Sequence, residues 1–310
     1  MSSQKRKKKY RQQKRIFVGL IAFVIVGMLF CRWEDGRIAD KGNLSASAKG
    51  AEKDGKATSK LKMQDVTDVS AQEPDDTKQE AADDQRSSFA VQPGVPVGTD
   101  VQTDEKVMYL TFDDGPSVNT QKILDILDRY DAKATFFVTN ESPDYQDMIK
   151  KAYDKGNTIG LHTYCHVYQQ VYSSVDAYFE DLDKIGQVVK QQIGYVPCFI
   201  RFPGGASNTI SSNYTQGIMT ALTQQVVEKG YQYYDWNAVS GDGGTCTAEE
   251  MVQKATGFSE NNLILLCHDA AAKTSTVEAL PKIMDYYKGQ GYTFKAIDRE
   301  SYVVHHGVSN

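Results

Sequence analysis

From residue 106 onward, short apolar runs alternate with amphipathic stretches, the texture of a sheet laid down strand by strand with helices between. The runs 107–112, 134–139, 158–162, 198–202, 231–236, 263–268 and 292–297 have strand length. Helical spacing connects them. Ile123, Leu124, Leu127 and Tyr130 fall on one face of 120–130, and 178–193 and 214–229 have a similar character. Thr247, with Glu250 three residues on, forms a capping-box pattern at the start of another helix. Seven such repeats predict an α/β fold with parallel strands, either an open sheet or a closed barrel. In both architectures functional side chains collect where the strands end at their carboxyl edge.

Upstream the pattern changes twice. Residues 16–31, IFVGLIAFVIVGMLFC, carry no charge. As a helix they would span roughly 24 Å, a little under the ~30 Å hydrocarbon core of a bilayer. Arg15 and Arg32 can snorkel and Trp33 can sit at the interface, so 16–33 is expected to be a single transmembrane anchor. A cleaved signal peptide is the competing reading, but the small-residue site Ala46-Ser47-Ala48 lies too far past the apolar run. Bulky Leu29 and Phe30 oppose a lipoprotein cleavage before Cys31, and a buried core helix would leave the basic flank without a role. Between 34 and 88 there is no Phe, Tyr or Trp among many Asp, Glu, Lys, Ala, Ser and Gln, which predicts a disordered spacer. The organisation expected is therefore a basic tip at 1–15, an anchor at 16–33, a disordered spacer at 34–100 and a catalytic domain at 101–310. Within this scheme 89–103, with Pro93 and Pro96, reads as an extended lead-in.

Charge sharpens the picture. Residues 1–15 hold eight basic side chains and no acidic one, so the chain's net −5 leaves −13 on everything downstream. A basic tip on an acidic body argues against nucleic acid as a partner. It is instead the flank that keeps an anchor's N-terminal side in the cytoplasm and exports the rest. Five cysteines (31, 165, 198, 246 and 267) form no regular framework in a domain large enough to need none; one disulfide is left open, with no pairing chosen. The oligomeric state is left open too.

Polar clusters sit at the ends of five of the expected strands: Asp113-Asp114-Gly115-Pro116, His162 to His166, Arg201 to Gly205, Asp235-Trp236-Asn237 and His268-Asp269. Singly each has a plain reading. Asp-Asp-Gly-Pro is a turn sequence, and two histidines at i and i+4 more often decorate a helical turn than bind a metal. Together they do not. Three of the five histidines lie at strand ends, and two imidazoles with one carboxylate form a divalent-metal shell that leaves positions for water and substrate. The neighbouring aspartate, pointing elsewhere along the pleat, would be free to act as a base.

The segments TFDDGP at 111–116, HTYCH at 162–166, RFPGG at 201–205, YDWN at 234–237 and LCHD at 266–269 resemble, in order, the motifs of the polysaccharide deacetylase family (the NodB-homology domain, carbohydrate esterase family 4). The resemblance covers roughly 105–300. It implies a distorted (β/α)7-type barrel that removes acetyl groups from an acetylated glycan, with peptidoglycan N-acetylglucosamine the natural substrate of an exported domain. It implies Asp114, His162 and His166 as metal ligands, zinc being the usual ion and other divalent ions alternatives. Asp113 matches the general base and His268 the general acid. Arg201 would tune Asp113, and Asp235 would hold His268 protonated by charge pairing. Gly204 would supply a backbone N–H to the oxyanion, with Trp236 and Leu266 forming the acetyl pocket and sugar platform.

Two positions depart from the family pattern. Gly204 stands where many relatives carry an aromatic residue, which implies a wider groove. Only the Asp-Trp end of the fourth motif is present, without an upstream aspartate. Cys165, between the two histidines, is read as packing. Chito-oligosaccharide or O-acetyl deacetylation, or a non-catalytic glycan-binding module, stand as alternatives. A metalloprotease is opposed because Thr163 and Tyr164 bring no glutamate between the histidines.

Overall fold

The computed structural model describes residues 88–310. The expected anchor at 16–33 and most of the expected spacer lie outside the described residues; among the described residues no helix is long and apolar enough to cross a membrane.

Eight strands form one parallel sheet: β1 Val107–Asp113, β2 Thr135–Val138, β3 Thr158–Leu161, β4 Phe199–Ile200, β5 Gln232–Tyr233, β6 Ala238–Val239, β7 Asn262–His268 and β8 Thr293–Phe294. The hydrogen-bonded order is β5-β4-β3-β2-β1-β7-β6, and β8 pairs with the first two residues of β1. β1 and β7 run side by side through seven paired positions, Val107 against Asn262 up to Asp113 against His268. Every residue of β1 is buried, the signature of a parallel strand covered on both faces.

The helices are α1 Thr120–Arg129, α2 Asp147–Asp154, α3 Tyr168–Val171, α4 Val175–Ile193, α5 Ile218–Glu228, α6 Ala248–Ala255 and α7 Thr274–Gly289. Local chemistry sets their ends. The Ser174 side chain accepts from Ala177 N at the start of α4, and Gly194, left-handed at φ 90°, ends it. The Thr247–Glu250 capping box forms at the start of α6. In α1 the buried face is Ile123, Leu124 and Leu127, as the spacing predicts.

One apolar cluster lies between sheet and helices. A second, of Val107, Tyr109, Phe137, Cys198, Phe199, Tyr234, Ile264 and Ile297, joins side chains on the other face of distant strands, which requires the sheet to curl around them. Phe89, Val91 and Val97 from upstream and Tyr302, Val303 and Val304 from downstream pack against this inner cluster. Backbone bonds from Val91 N to Val196 O and from Cys198 N to Phe89 O tie the upstream segment down. Phe89–Thr99 thus packs as part of the described fold. The apolar side chains of that segment are what the aromatic-free stretch before it lacks.

The expected distorted (β/α)7-type barrel takes the form of an open, curled half-barrel. The one strand beyond the seven expected, β6, is two residues long and too short to show a period. Its partner is β7 alone, and the two edges β5 and β6 are not paired with each other. The four described cysteines are free thiols, so no disulfide forms among the described residues.

Candidate active site

Four functional segments emerge together at the carboxyl edge. Asp113 is the last residue of β1 and, in register with Tyr109 and Thr111, faces the inside of the curl. The next residue, Asp114, turns to a left-handed φ of 70°, which sends its carboxylate in a new direction. Its companion ligands come from the segment after β3. His162 lies one residue beyond that strand, and His166 is itself left-handed at φ 46°. The histidines therefore do not share a helical turn; a bent coil brings them together, with ring centroids 5.1 Å apart. Left-handed conformations cost a non-glycine residue of order 1–2 kcal/mol and persist where surrounding structure holds them.

The trio suits a divalent ion. Asp114 Oδ1 lies 3.4 Å from Nε2 of His162 and 3.4 Å from Nε2 of His166, close to the edge of a tetrahedron with ~2 Å metal–ligand bonds. That carboxylate oxygen is buried and accepts no hydrogen bond from the protein. His162 Nδ1 is 2.7 Å from the carbonyl of Arg201, which fixes Nδ1 as the donor and leaves Nε2 its lone pair. Burial depresses the His162 pKa to about 3, so its ring is neutral and able to ligate. Among the described residues this is the one His/Cys/Asp/Glu cluster with ligand spacing.

Arg201 follows β4 and is completely buried. Its Nη1 bonds Asp113 Oδ1 at 2.8 Å and Thr111 Oγ1 at 2.7 Å, its Nε donates to Tyr234 O at 2.8 Å, and the guanidinium lies 4.3 Å over the Phe137 ring. Only one oxygen of Asp113 is engaged, so the other remains open to the site. Asp269, next to His268, donates its backbone N–H to Asp113 O, and its buried carboxyl, which accepts from Thr120 Oγ1, packs against Gly115. A Cβ at Gly115 would meet that carboxyl at 2.2 Å, which explains the glycine after the two aspartates. Burial pushes Asp269 up to about 7.

The expectation for Asp235 does not hold. The partner of His268 Nδ1 is Asp242 Oδ1, at 2.8 Å, and Asp242 Oδ2 also accepts the His268 backbone N–H. Ser240 and Thr276 hydroxyls complete the shell of the Asp242 carboxylate. Burial alone would lower the His268 pKa, but the hydrogen bond and charge of Asp242 outweigh it and raise the value to about 9. Asp235 instead accepts from Ala206 N and His306 N, and its carbonyl accepts from Arg201 Nη2, so it pins the turn at 203–206 to the strand edge and to the C-terminal segment. Asp242 lies six residues downstream of Trp236. In the sequence it sits in Ser-Gly-Asp-Gly-Gly, where glycines signal only a turn, and the short β6 before it gives no strand end to mark it.

That turn presents Gly204 at φ 75°. The carbonyl of Pro203 accepts from Tyr172 Oη and Asn208 Nδ2, while the N–H of the same peptide, on Gly204, has no acceptor among the described residues. A fixed peptide with a free N–H is the form of an oxyanion donor. The widened groove expected at Gly204 is corrected as well: a Cβ there would lie 2.6 Å from the hydroxyl of Tyr168 in α3, so that side chain already occupies the room. Leu266 lies half-buried on the inner face of β7, two residues before His268. Trp236 is half-buried against the Gly205 turn and edge-on to His306 at 4.8 Å.

The chain is similar to proteins of one known family. A family profile for polysaccharide deacetylase matches residues 100–222. A peptidoglycan-N-acetylglucosamine deacetylase from Bacillus cereus is 30% identical over 207 residues, covering 64% of this chain and 72% of that protein. The crystal structure of the catalytic domain of a peptidoglycan N-acetylglucosamine deacetylase from Eubacterium rectale is similar at 41% identity and a TM-score of 0.66, covering 70% of this chain and 98% of that one. A crystal structure of a polysaccharide deacetylase from Bacillus cereus gives 29% identity and a TM-score of 0.57 over 66% of this chain and 96% of that one.

Proposed function

This chain belongs to the polysaccharide deacetylase family, and on that premise we propose that it hydrolyses N-acetyl groups of an extracellular amino-sugar polymer, peptidoglycan N-acetylglucosamine foremost, in a metal-dependent reaction. The observation that carries this reading is the meeting of three units at one strand edge: the Asp114–His162–His166 trio, Asp113 on Arg201, and His268 on Asp242. A divalent ion such as zinc, when bound by the trio, supplies Lewis acidity toward a water molecule and the acetyl carbonyl. Asp113, with one oxygen committed to Arg201, accepts the proton of the attacking water through the other. The Gly204 N–H receives the oxyanion. His268 is a cation at neutral pH and gives its Nε2 proton to the departing amine, while Asp242 holds Nδ1. Asp235 serves by fixing the turn that carries Gly204. Leu266 and Trp236 border the acetyl group and the sugar.

The substrate implies a place. Residues 16–33 act as an anchor with the basic tip inside the cell and the catalytic domain outside, a reading supported by the uncharged run and its basic flank. The test is acetate release from peptidoglycan by the full chain before and after complete chelation, with mass spectrometry reporting which sugar loses its acetyl group. We expect N-acetylglucosamine to lose it, with roughly 10³-fold or greater suppression by chelation and recovery on adding zinc or another divalent ion. Turnover that survives full metal removal would overturn the mechanism. Turnover confined to chito-oligosaccharides or O-acetyl groups would move the substrate, and binding without turnover on any acetylated polymer would make the domain a glycan-binding module.

A further inference from the structure

The glycine at 204 and the tyrosine at 168 are 36 positions apart in sequence and share one volume of space. Tyr168 opens α3, the single-turn helix that begins two residues after the ligand His166. Its ring is held edge-on between two others, His166 at 5.9 Å and Tyr172 at 5.3 Å. Tyr172 in turn donates its hydroxyl to Pro203 O at 2.8 Å, so the same aromatic stack that orients Tyr168 also orients the peptide bearing the Gly204 N–H. Edge contacts with two neighbouring rings leave Tyr168 little freedom.

The hydroxyl of this immobilised ring is not part of the stack. It makes no hydrogen bond among the described residues, the residue is only half-buried, and it lies 2.6 Å from where a Cβ of residue 204 would be. A phenol of this kind is a donor and acceptor without a partner, placed at the lip of the site beside a second free donor, the Gly204 N–H. Leaving either unsatisfied once a ligand excluded water would cost stability, so a ligand that fits must supply oxygen atoms to both. A sugar does so: its acetamide oxygen reaches the backbone N–H, its ring hydroxyls reach a phenol, and its CH face packs on an aromatic ring.

We propose that Tyr168 is a specificity-determining residue that forms one wall of the glycan groove in place of a side chain at 204 and hydrogen-bonds a hydroxyl of the sugar bearing the acetamide. The proposal rests on the deacetylase reading above. It predicts an effect confined to substrates that fill the groove, because the group touches sugar and not the reacting acyl carbon.

The experiment compares the parent full chain with Tyr168→Phe and Tyr168→Ala on N-acetylchitohexaose, on muropeptides and on 4-nitrophenyl acetate, together with zinc affinity. For Tyr168→Phe we expect KM for the acetylated sugars to rise roughly fivefold to tenfold, the loss of one neutral hydrogen bond, with kcat, ester turnover and zinc affinity within about twofold of the parent. Tyr168→Ala should raise the sugar KM further. Unchanged sugar KM in both variants would overturn the assignment. So would an equal loss on sugar and ester accompanied by weaker zinc binding, because that is the result of a residue that merely props His166. A parent that hydrolyses the ester but no acetylated sugar would instead overturn the deacetylase reading, and with it this proposal.

Discussion

Two buried ion pairs flank the ligand trio, and they are built the opposite way round. On one side a permanent cation, Arg201, holds a carboxylate, Asp113, at 2.8 Å; on the other a carboxylate, Asp242, holds a titratable cation, His268, also at 2.8 Å. The first pair is therefore built on a fixed guanidinium charge. In the second pair the group with the adjustable charge is the one that faces substrate, and its pKa of about 9 is created by its partner. The contrast separates the two halves of an acid–base reaction: the base is held by a fixed charge, whereas the charge of the acid depends on a neighbour.

Asp113→Asn breaks the first pair most directly. We expect kcat to fall roughly 10²–10⁴-fold, the usual contribution of a general base, with zinc affinity retained because Asp114 and both histidines are untouched; a loss of metal together with activity would show instead that Asp113 belongs to the ligand set. Asp242→Asn attacks the second pair. With the carboxylate gone, only the charges of Asp113 and Asp114 are left to oppose burial at His268, so its pKa should fall and the alkaline limb of kcat should move down from about 9. The activity lost at alkaline pH should be recoverable at lower pH.

The same pair affects stability. Because the folded pKa of His268 lies above 6.5, its stabilisation is complete below pH 6.5 and is lost as the pH rises through about 9. Denaturant midpoints of the parent should fall across that window, and those of Asp242→Asn should not. The smallest effect is expected from Asp235→Ala, which leaves the N–H groups of Ala206 and His306 without an acceptor, at about 1–3 kcal/mol. Its rate should drop while the limb stays near 9; an alkaline limb that shifts as in Asp242→Asn would put Asp235 back beside His268.

What could be read in advance followed the strength of the local signal. Asp113, Asp114, His162, Arg201 and His268 each end or follow a run of apolar residues that announces a strand, so their common edge was legible from spacing. The Thr247–Glu250 box was legible because capping is a contact between near neighbours. Asp242 was not, since it depends on β6, whose two residues show no period, and on a loop whose glycines signal only a turn. Nor was the space beside Gly204, because the residue that fills it comes from a different helix and no pattern within either segment refers to the other. The bent coil holding His166 was equally hidden, as a left-handed histidine leaves no mark in composition.

The lead-in packed under the sheet has a directional consequence. Phe89 bonds the backbone just before β4, and Ser88 lies near Thr158, the first residue of β3, so the polypeptide joins this domain at the amino edge of its strands. β1 then rises through seven residues to Asp113, roughly 20–23 Å at strand pitch. The reactive rim at Asp113 is therefore the end of the half-barrel farthest from where residue 88 enters it.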